Sequence, residues 1–130
     1  MNIKIYEQNR DEAKLMQMLH EEGEEWSCYW KDEVAPKYRK ALHDNITYVA
    51  YEEDTLCGSV RALNDCGFYI YICDLLVSKE HRGRDVGRKL MQRLCAEYPK
   101  QTVYVMSDHD DYYQHLGYAR EGSIFTVSPS

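Results

Sequence analysis

Residues 68–87 read Phe68-Tyr69-Ile70-Tyr71-Ile72-Cys73-Asp74-Leu75-Leu76-Val77-Ser78-Lys79-Glu80-His81-Arg82-Gly83-Arg84-Asp85-Val86-Gly87. The first half is an almost unbroken apolar run rich in aromatic and β-branched side chains, the pattern of a strand buried on both faces. The second half is polar, basic and punctuated by glycine. From Val86 the apolar residues change period: Val86, Leu90, Leu94 and Tyr98 recur at helical spacing, with Met91 and Cys95 beside them, and Pro99 ends the helix. The unit is therefore a buried strand, a basic turn and an amphipathic helix.

Such a unit suits a phosphate. The start of a helix leaves main-chain N–H groups without partners and carries a partial positive charge. Gly83 and Gly87 let an anion approach the main chain closely. Between Lys79 and Arg93 stand six basic residues and two acidic ones, a local charge of 6 − 2 = +4 in a chain whose total is −6. On charge alone, a solvated basic helix face explains the run equally well.

The stretch Leu75 to Leu90 resembles the acetyl-CoA signature of the GNAT family of N-acetyltransferases, in which a strand ending in Val leads into Arg/Gln-x-x-Gly-x-Gly/Ala and then a helix. Arg82, Val86 and Gly87 fit that signature. Asp85 stands where its first glycine usually stands, and as a favoured N-cap residue Asp85 is expected to cap the helix. A second match lies at Tyr112-Tyr113-Gln114-His115-Leu116-Gly117-Tyr118, where the family has aromatic-Tyr-x-x-x-Gly-aromatic.

The rest of the chain is consistent with one compact domain, residues 1–130. Hydrophobic residues make up 44%, which argues against disorder. Five cysteines without a CxxC pair, and no Cys/His spacing of zinc type, point to reduced thiols and no metal. The opening Met1-Asn2-Ile3-Lys4 is not a secretory signal and no apolar run is long enough for a membrane span, so the expected location is the cytoplasm. A net charge of −6 argues against nucleic-acid binding.

In order, Ile3 and Ile5 alternate with polar neighbours and predict a short strand. Asn9 and Glu12 have capping-box spacing, opening a helix from about Arg10 to Glu22 with Ala13, Met16, Leu19 and Leu15 as inward candidates. A second helix is expected over Asp32–Leu42, with Pro36 early. Ile46–Tyr51, Leu56–Leu63 and the apolar run from Phe68 predict an antiparallel meander. The crossover helix implies that the run pairs in parallel with Thr102–Met106. Arg120–Val127 is expected as a last strand. The expected fold is α/β (α+β): a mixed, mostly antiparallel, twisted sheet with flanking helices. The resemblance further implies that the two parallel strands splay.

Other implications rest on the resemblance. The donor would be acetyl-CoA. Its thioester carbonyl would accept from main-chain N–H groups around Leu75, Leu76 and Val77, and its pyrophosphate would lie on Arg82, Gly83, Arg84, Asp85, Val86, Gly87 and Arg88. An amine would attack directly in a ternary complex, and Tyr113 would protonate the departing thiolate. Tyr113 is equally readable as a packed core tyrosine. Asp74, a carboxylate inside an apolar strand, is a candidate base or a holder of main-chain groups at a bulge; Asp108 and His109 are further candidates. Glu21, Glu22, Glu24 and Glu25 beside Trp26, Tyr29 and Trp30 are either a solvated helix end over core aromatics or a cleft for a cationic acceptor, a small molecule or a polypeptide amine. The alternative in another class is a non-catalytic acyl-CoA-binding module. The oligomeric state is left open, a homodimer included.

Overall fold

A computed structural model describes residues 1–130. Five strands form one sheet in the order β1-β2-β3-β4-β5: Asn2–Ile5, Ile46–Glu52, Thr55–Asn64, Tyr69–Val77 and Thr102–Val105. The first four pair antiparallel with their neighbours and β4 pairs β5 in parallel, as the crossover through a helix requires. The helices are α1 (Gln8–Glu22), α2 (Ser27–Trp30), α3 (Ala35–Asp44), α4 (Val86–Glu97) and α5 (Asp110–His115). No helix is long and apolar enough to cross a membrane.

The sheet divides two cores. On one face α4 sets Val86, Leu90, Met91 and Leu94 against Tyr48, Ala50, Val60, Ile70 and Ile72. On the other, Leu15, Met18 and Leu19 of α1 and Tyr38 and Leu42 of α3 meet Val49, Tyr51 and Leu76. Both cores depend on the alternation of side chains along β2, whose buried residues serve the two faces in turn.

The register of β4 breaks once. Arg61 of β3 lies opposite Asp74 but Ala62 lies opposite Ile72, so Cys73 is an extra residue, a β-bulge. An inserted residue reverses which face every later side chain takes. Ile70 and Ile72 therefore enter the α4 core, whereas Leu76 joins the α1/α3 core and Asp74 turns to Tyr38 of α3.

Several expectations fail locally. Phe68 does not belong to the buried strand; it is 78% exposed in the turn before β4. The capping box at Asn9 does not form: the N-cap is Glu7, whose N–H donates to Asp11 Oδ2 at 2.8 Å. That helix starts at Gln8, two residues earlier than expected, and its buried face runs through Leu15, Met18 and Leu19, leaving Ala13 exposed. The second helix starts at Ala35 rather than Asp32, with Pro36 still in its first turn, and α2 precedes it. Arg120–Val127 forms no strand and is exposed, since no backbone hydrogen bond ties it to β5.

Candidate functional site

β4 pairs with β5 only over Tyr69–Ile72, which lie opposite Thr102–Val105. Beyond the bulge, Cys73–Val77 continue without a neighbour on that side. The two parallel strands thus part, and Leu75, Leu76 and Val77, still paired with β3, border the opening with no strand on the β5 side. Leu76 is buried; the side chains of Leu75 and Val77 pack half-buried against the α4 core.

Past Val77 the chain makes a 3₁₀ turn, Lys79–His81, then runs through Arg82, Gly83 and Arg84 to α4. Gly83 has φ 80° and Asp85 φ 69°. Asp85 occupies the N-cap position of α4 in the left-handed region and makes no side-chain cap bond, contrary to expectation. The backbone explains both the usual glycine and the tolerance of Asp, one of the few L-residues that visit this conformation readily. Its carboxylate instead accepts from Arg88 Nε at 2.8 Å, and this bond holds it below the usual carboxylate range. The amides of Val86, Gly87 and Arg88 make no bond to the preceding turn, and the first to do so is Lys89 N–H, donating to the Asp85 carbonyl. These three amides are donors left free at the start of α4.

Two glycines allow close packing here. A Cβ on Gly58 of β3 would come within 3.0 Å of Val86 Cγ1, so its absence seats the start of α4 tightly on the sheet. A Cβ on Gly87 would collide with the hydroxyl of Tyr112. Tyr112 is thus the tyrosine lying over the turn. Tyr113 packs half-buried against the α4 core and lines a cavity of about 1220 Å³ with Met91, Val105 and Asp108. Burial, then the neighbouring Tyr112 and Asp108, push its phenol above the ordinary value, so it is protonated at neutral pH. Asp108 and His109 are exposed at the end of β5.

The arginines of the turn are not free. Arg82 forms an ion pair with Glu22 of α1 and donates through Nε to the Val77 carbonyl at 3.1 Å. Arg84 pairs with Glu52 at 3.0 Å, which also lies 3.3 Å from His81 Nε2. Arg88 holds Asp85. The local surplus of positive charge is thus offset by three carboxylates, and sequence reading missed Glu22 and Glu52 in this role. A phosphate-sized anion must exchange with them. Arg84–Glu52 and Arg88–Asp85 are exposed on both sides, so exchange there is inexpensive, whereas the Glu22 side chain is only 6% exposed and loses its single counter-charge if Arg82 leaves.

On the opposite face of β4 lies a buried polar group. Asp74 accepts from Tyr38 through Oδ1 at 3.1 Å and from Arg61 Nε through Oδ2 at 2.8 Å; Arg61 Nη1 donates to Asn45 at 2.8 Å. Burial pushes the Asp74 carboxyl up, against the pull of Arg61 and the two hydrogen bonds. The guanidinium also lies over the rings of Tyr29 and Tyr38, 5.8 and 5.3 Å from their centroids. Tyr29 continues into Trp26 and Tyr38 through ring contacts, and Trp30 lies tilted against His20 with centroids 4.5 Å apart. The aromatics after α1 are half-buried against the α1/α3 core, so they are core residues whose outer edges form a wall. Of the nearby carboxylates, Glu21 accepts from Gln17, Glu22 holds Arg82, and Glu24 and Glu25 are exposed.

Comparison with solved structures gives the same architecture. A ribosomal-protein-alanine N-acetyltransferase from Brucella melitensis superposes with TM-score 0.74 at 15% identity, covering 99% of each chain. A GNAT-family acetyltransferase from Streptococcus pneumoniae does so with TM-score 0.71 at 18% identity, covering 98% of each. An aminoglycoside 6'-N-acetyltransferase complexed with coenzyme A gives 0.67 at 19% identity, covering 90% of this chain and 73% of that one. No curated protein matches the sequence. At such identities the structures speak for the fold. The family rests on the sequence itself: residues 43–120, from the end of α3 through the basic turn to the residues after α5, match the model of the acetyltransferase (GNAT) domain. The chain belongs to the GNAT acetyltransferase family.

Proposed function

We propose that this chain is an acetyl-CoA-dependent N-acetyltransferase acting on a primary amine by direct attack. The observation that carries the reading is the half of β4, Cys73–Val77, that has no partner on the β5 side and leads through the basic turn to the free amides at the start of α4. An extended pantetheine arm would run along the first, and a pyrophosphate would sit on the second. N–H groups of Leu75–Val77 aimed into the opening would hold the thioester oxygen and stabilise the charge that builds on it as the amine adds. The C–N bond forms, the C–S bond breaks, and the thiolate takes a proton; we assign that proton to Tyr113. Its support is the family pattern around it and a phenol kept protonated by burial. Positioning supplies much of the remaining rate.

We give Asp74 a different part from that of a base. Both of its oxygens are engaged, by Tyr38 and Arg61, so the amine proton leaves by another route and Asp74 fixes the Arg61–Tyr29–Tyr38 wall. For the acceptor we propose a cationic amine, small or polypeptide, drawn by Glu24 and Glu25 to the aromatic segment Trp26–Trp30. The two solved N-acetyltransferases above act on an aminoglycoside and on a ribosomal protein.

The test is an acceptor screen that follows thiol release from acetyl-CoA over cationic, neutral and anionic amines. Turnover concentrated among cationic amines is expected. A chain that binds CoA yet releases thiol with none of them is the non-catalytic module, a reading favoured by Asp85 in place of glycine.

A further inference from the structure

Glu22 lies outside both matched motifs, yet it ties Arg82 of the basic turn to the end of α1, just before the aromatic segment. It lies in the last turn of α1 and its side chain is only 6% exposed, while that of its partner Arg82 is 53% exposed. Arg82 is the only cation paired with it. The next residue, Gly23, accepts a 2.9 Å hydrogen bond from Trp30 Nε1. The neighbouring Glu21 turns away to Gln17. The carboxylate is therefore shielded from solvent and has a single counter-charge, which is itself half exposed.

We infer that Glu22 is a positioning residue that holds Arg82 until the donor's pyrophosphate replaces it, and that the carboxylate so released becomes the anchor for a cationic group of the acceptor. The inference rests on the reading of the turn as a CoA site. A buried carboxylate stripped of its counter-charge is unfavourable, and it regains one either by recapturing Arg82 or by taking up an external cation. The two ligands are thereby coupled. Donor binding creates the acceptor's charge site, and by reciprocity a bound cation strengthens donor binding. Because Gly23 accepts from Trp30, loss of the Arg82 pair is read at the start of the aromatic segment.

The experiment titrates CoA at low ionic strength into the intact chain, by calorimetry and by tryptophan emission. Both tryptophans, Trp26 and Trp30, lie within eight residues of Glu22 on the acceptor side. Wild type is expected to bind CoA with a change in emission. Glu22→Gln, which removes the competing charge, should bind CoA at least threefold tighter, with an emission spectrum in the free protein already close to that of the CoA-bound wild type. Glu21→Gln removes the same charge one residue away and should match wild type. Glu22→Asp shortens the carboxylate's reach to Arg82 and should also bind more tightly, which keeps the test open if the Gln variant does not fold. Affinity in Glu22→Gln equal to or weaker than wild type overturns the inference, as does an equal gain in Glu21→Gln, which would signify general electrostatics. A wild-type chain that binds no CoA at all would overturn the proposed function instead.

Discussion

At the scale of single residues, two tyrosines adjacent in sequence have different surroundings. Tyr112 reaches over Gly87, and Tyr113 is seated against the α4 core. If Tyr113 protonates the thiolate, Tyr113→Phe should lower kcat by about 10²–10⁴-fold with little change in acetyl-CoA affinity, the signature of an interaction made mainly in the transition state. Tyr112→Phe should cost far less. Steady-state rates on both variants decide, and the reverse ranking would move the acid to Tyr112. A second residue matters for stability alone. Asp11 is fully buried and accepts from Arg10, Tyr51 and the Glu7 amide. Burial pushes its carboxyl up, but these three donors outweigh it and hold it below the usual range. A depressed folded value means the stabilisation is complete above the unfolded value of about 4 and is lost as pH falls through the folded one. Asp11→Ala should cost about 3 kcal/mol at pH 7, and the mutant's urea midpoint should fall less steeply than wild type's between pH 5 and 2.

At the scale of elements, the start of α4 is where local preference and function conflict. Asp85 holds a left-handed backbone that glycine adopts freely, and its charge occupies Arg88. Asp85→Gly should raise stability by up to about 1 kcal/mol and strengthen CoA binding, since a carboxylate leaves the anion site and Arg88 is freed. Chemical denaturation and calorimetry on the same protein test both; a large loss of CoA affinity would show that Asp85 organises the site. Gly87→Val acts in the opposite direction. It expels Tyr112 from the turn and fills the space above the free amides, so CoA affinity should fall at least tenfold, about 1.4 kcal/mol. The strand–turn–helix was legible because its residues are contiguous and its change of period is abrupt. The capping role of Asp85 was misread because sequence shows which residue stands at a helix start but not its φ. The bulge at Cys73 was equally hidden: an apolar run buried on both faces has no alternation to reveal a slip.

At the scale of the molecule, the fold arranges charge that the sequence only counts. The turn looked like an island of positive charge because Glu22 and Glu52 are 60 and 32 residues away along the chain from Arg82 and Arg84. Only the packing of α1 and β2 beside β4 brings them there. The same holds for Arg61 and Asp74, paired across β3 and β4. If the donor's phosphates take the arginines of the turn, as proposed, CoA binding is an exchange of ion pairs with three carboxylates. Added salt should weaken it, and CoA at about 100 times its Kd should add about 2.7 kcal/mol to the stability of the whole domain, visible as a higher Tm. The last strand expected at Arg120–Val127 does not form: Ile124, Phe125 and Val127 are β-prone, but β-prone residues make a strand only with a partner's hydrogen bonds, and none reaches them.

That missing partner leaves β5 as an edge, Thr102–Val105 bonded to β4 on one side and to nothing on the other. The strand is therefore divided along its length into two populations of amide. Those donating to β4 should keep their protons in deuterated water until the sheet opens, while the outward ones should exchange within the time scale of unstructured peptide. β2 and β3, bonded on both flanks, should show no such division, so the isotope pattern of one short strand marks where this sheet stops.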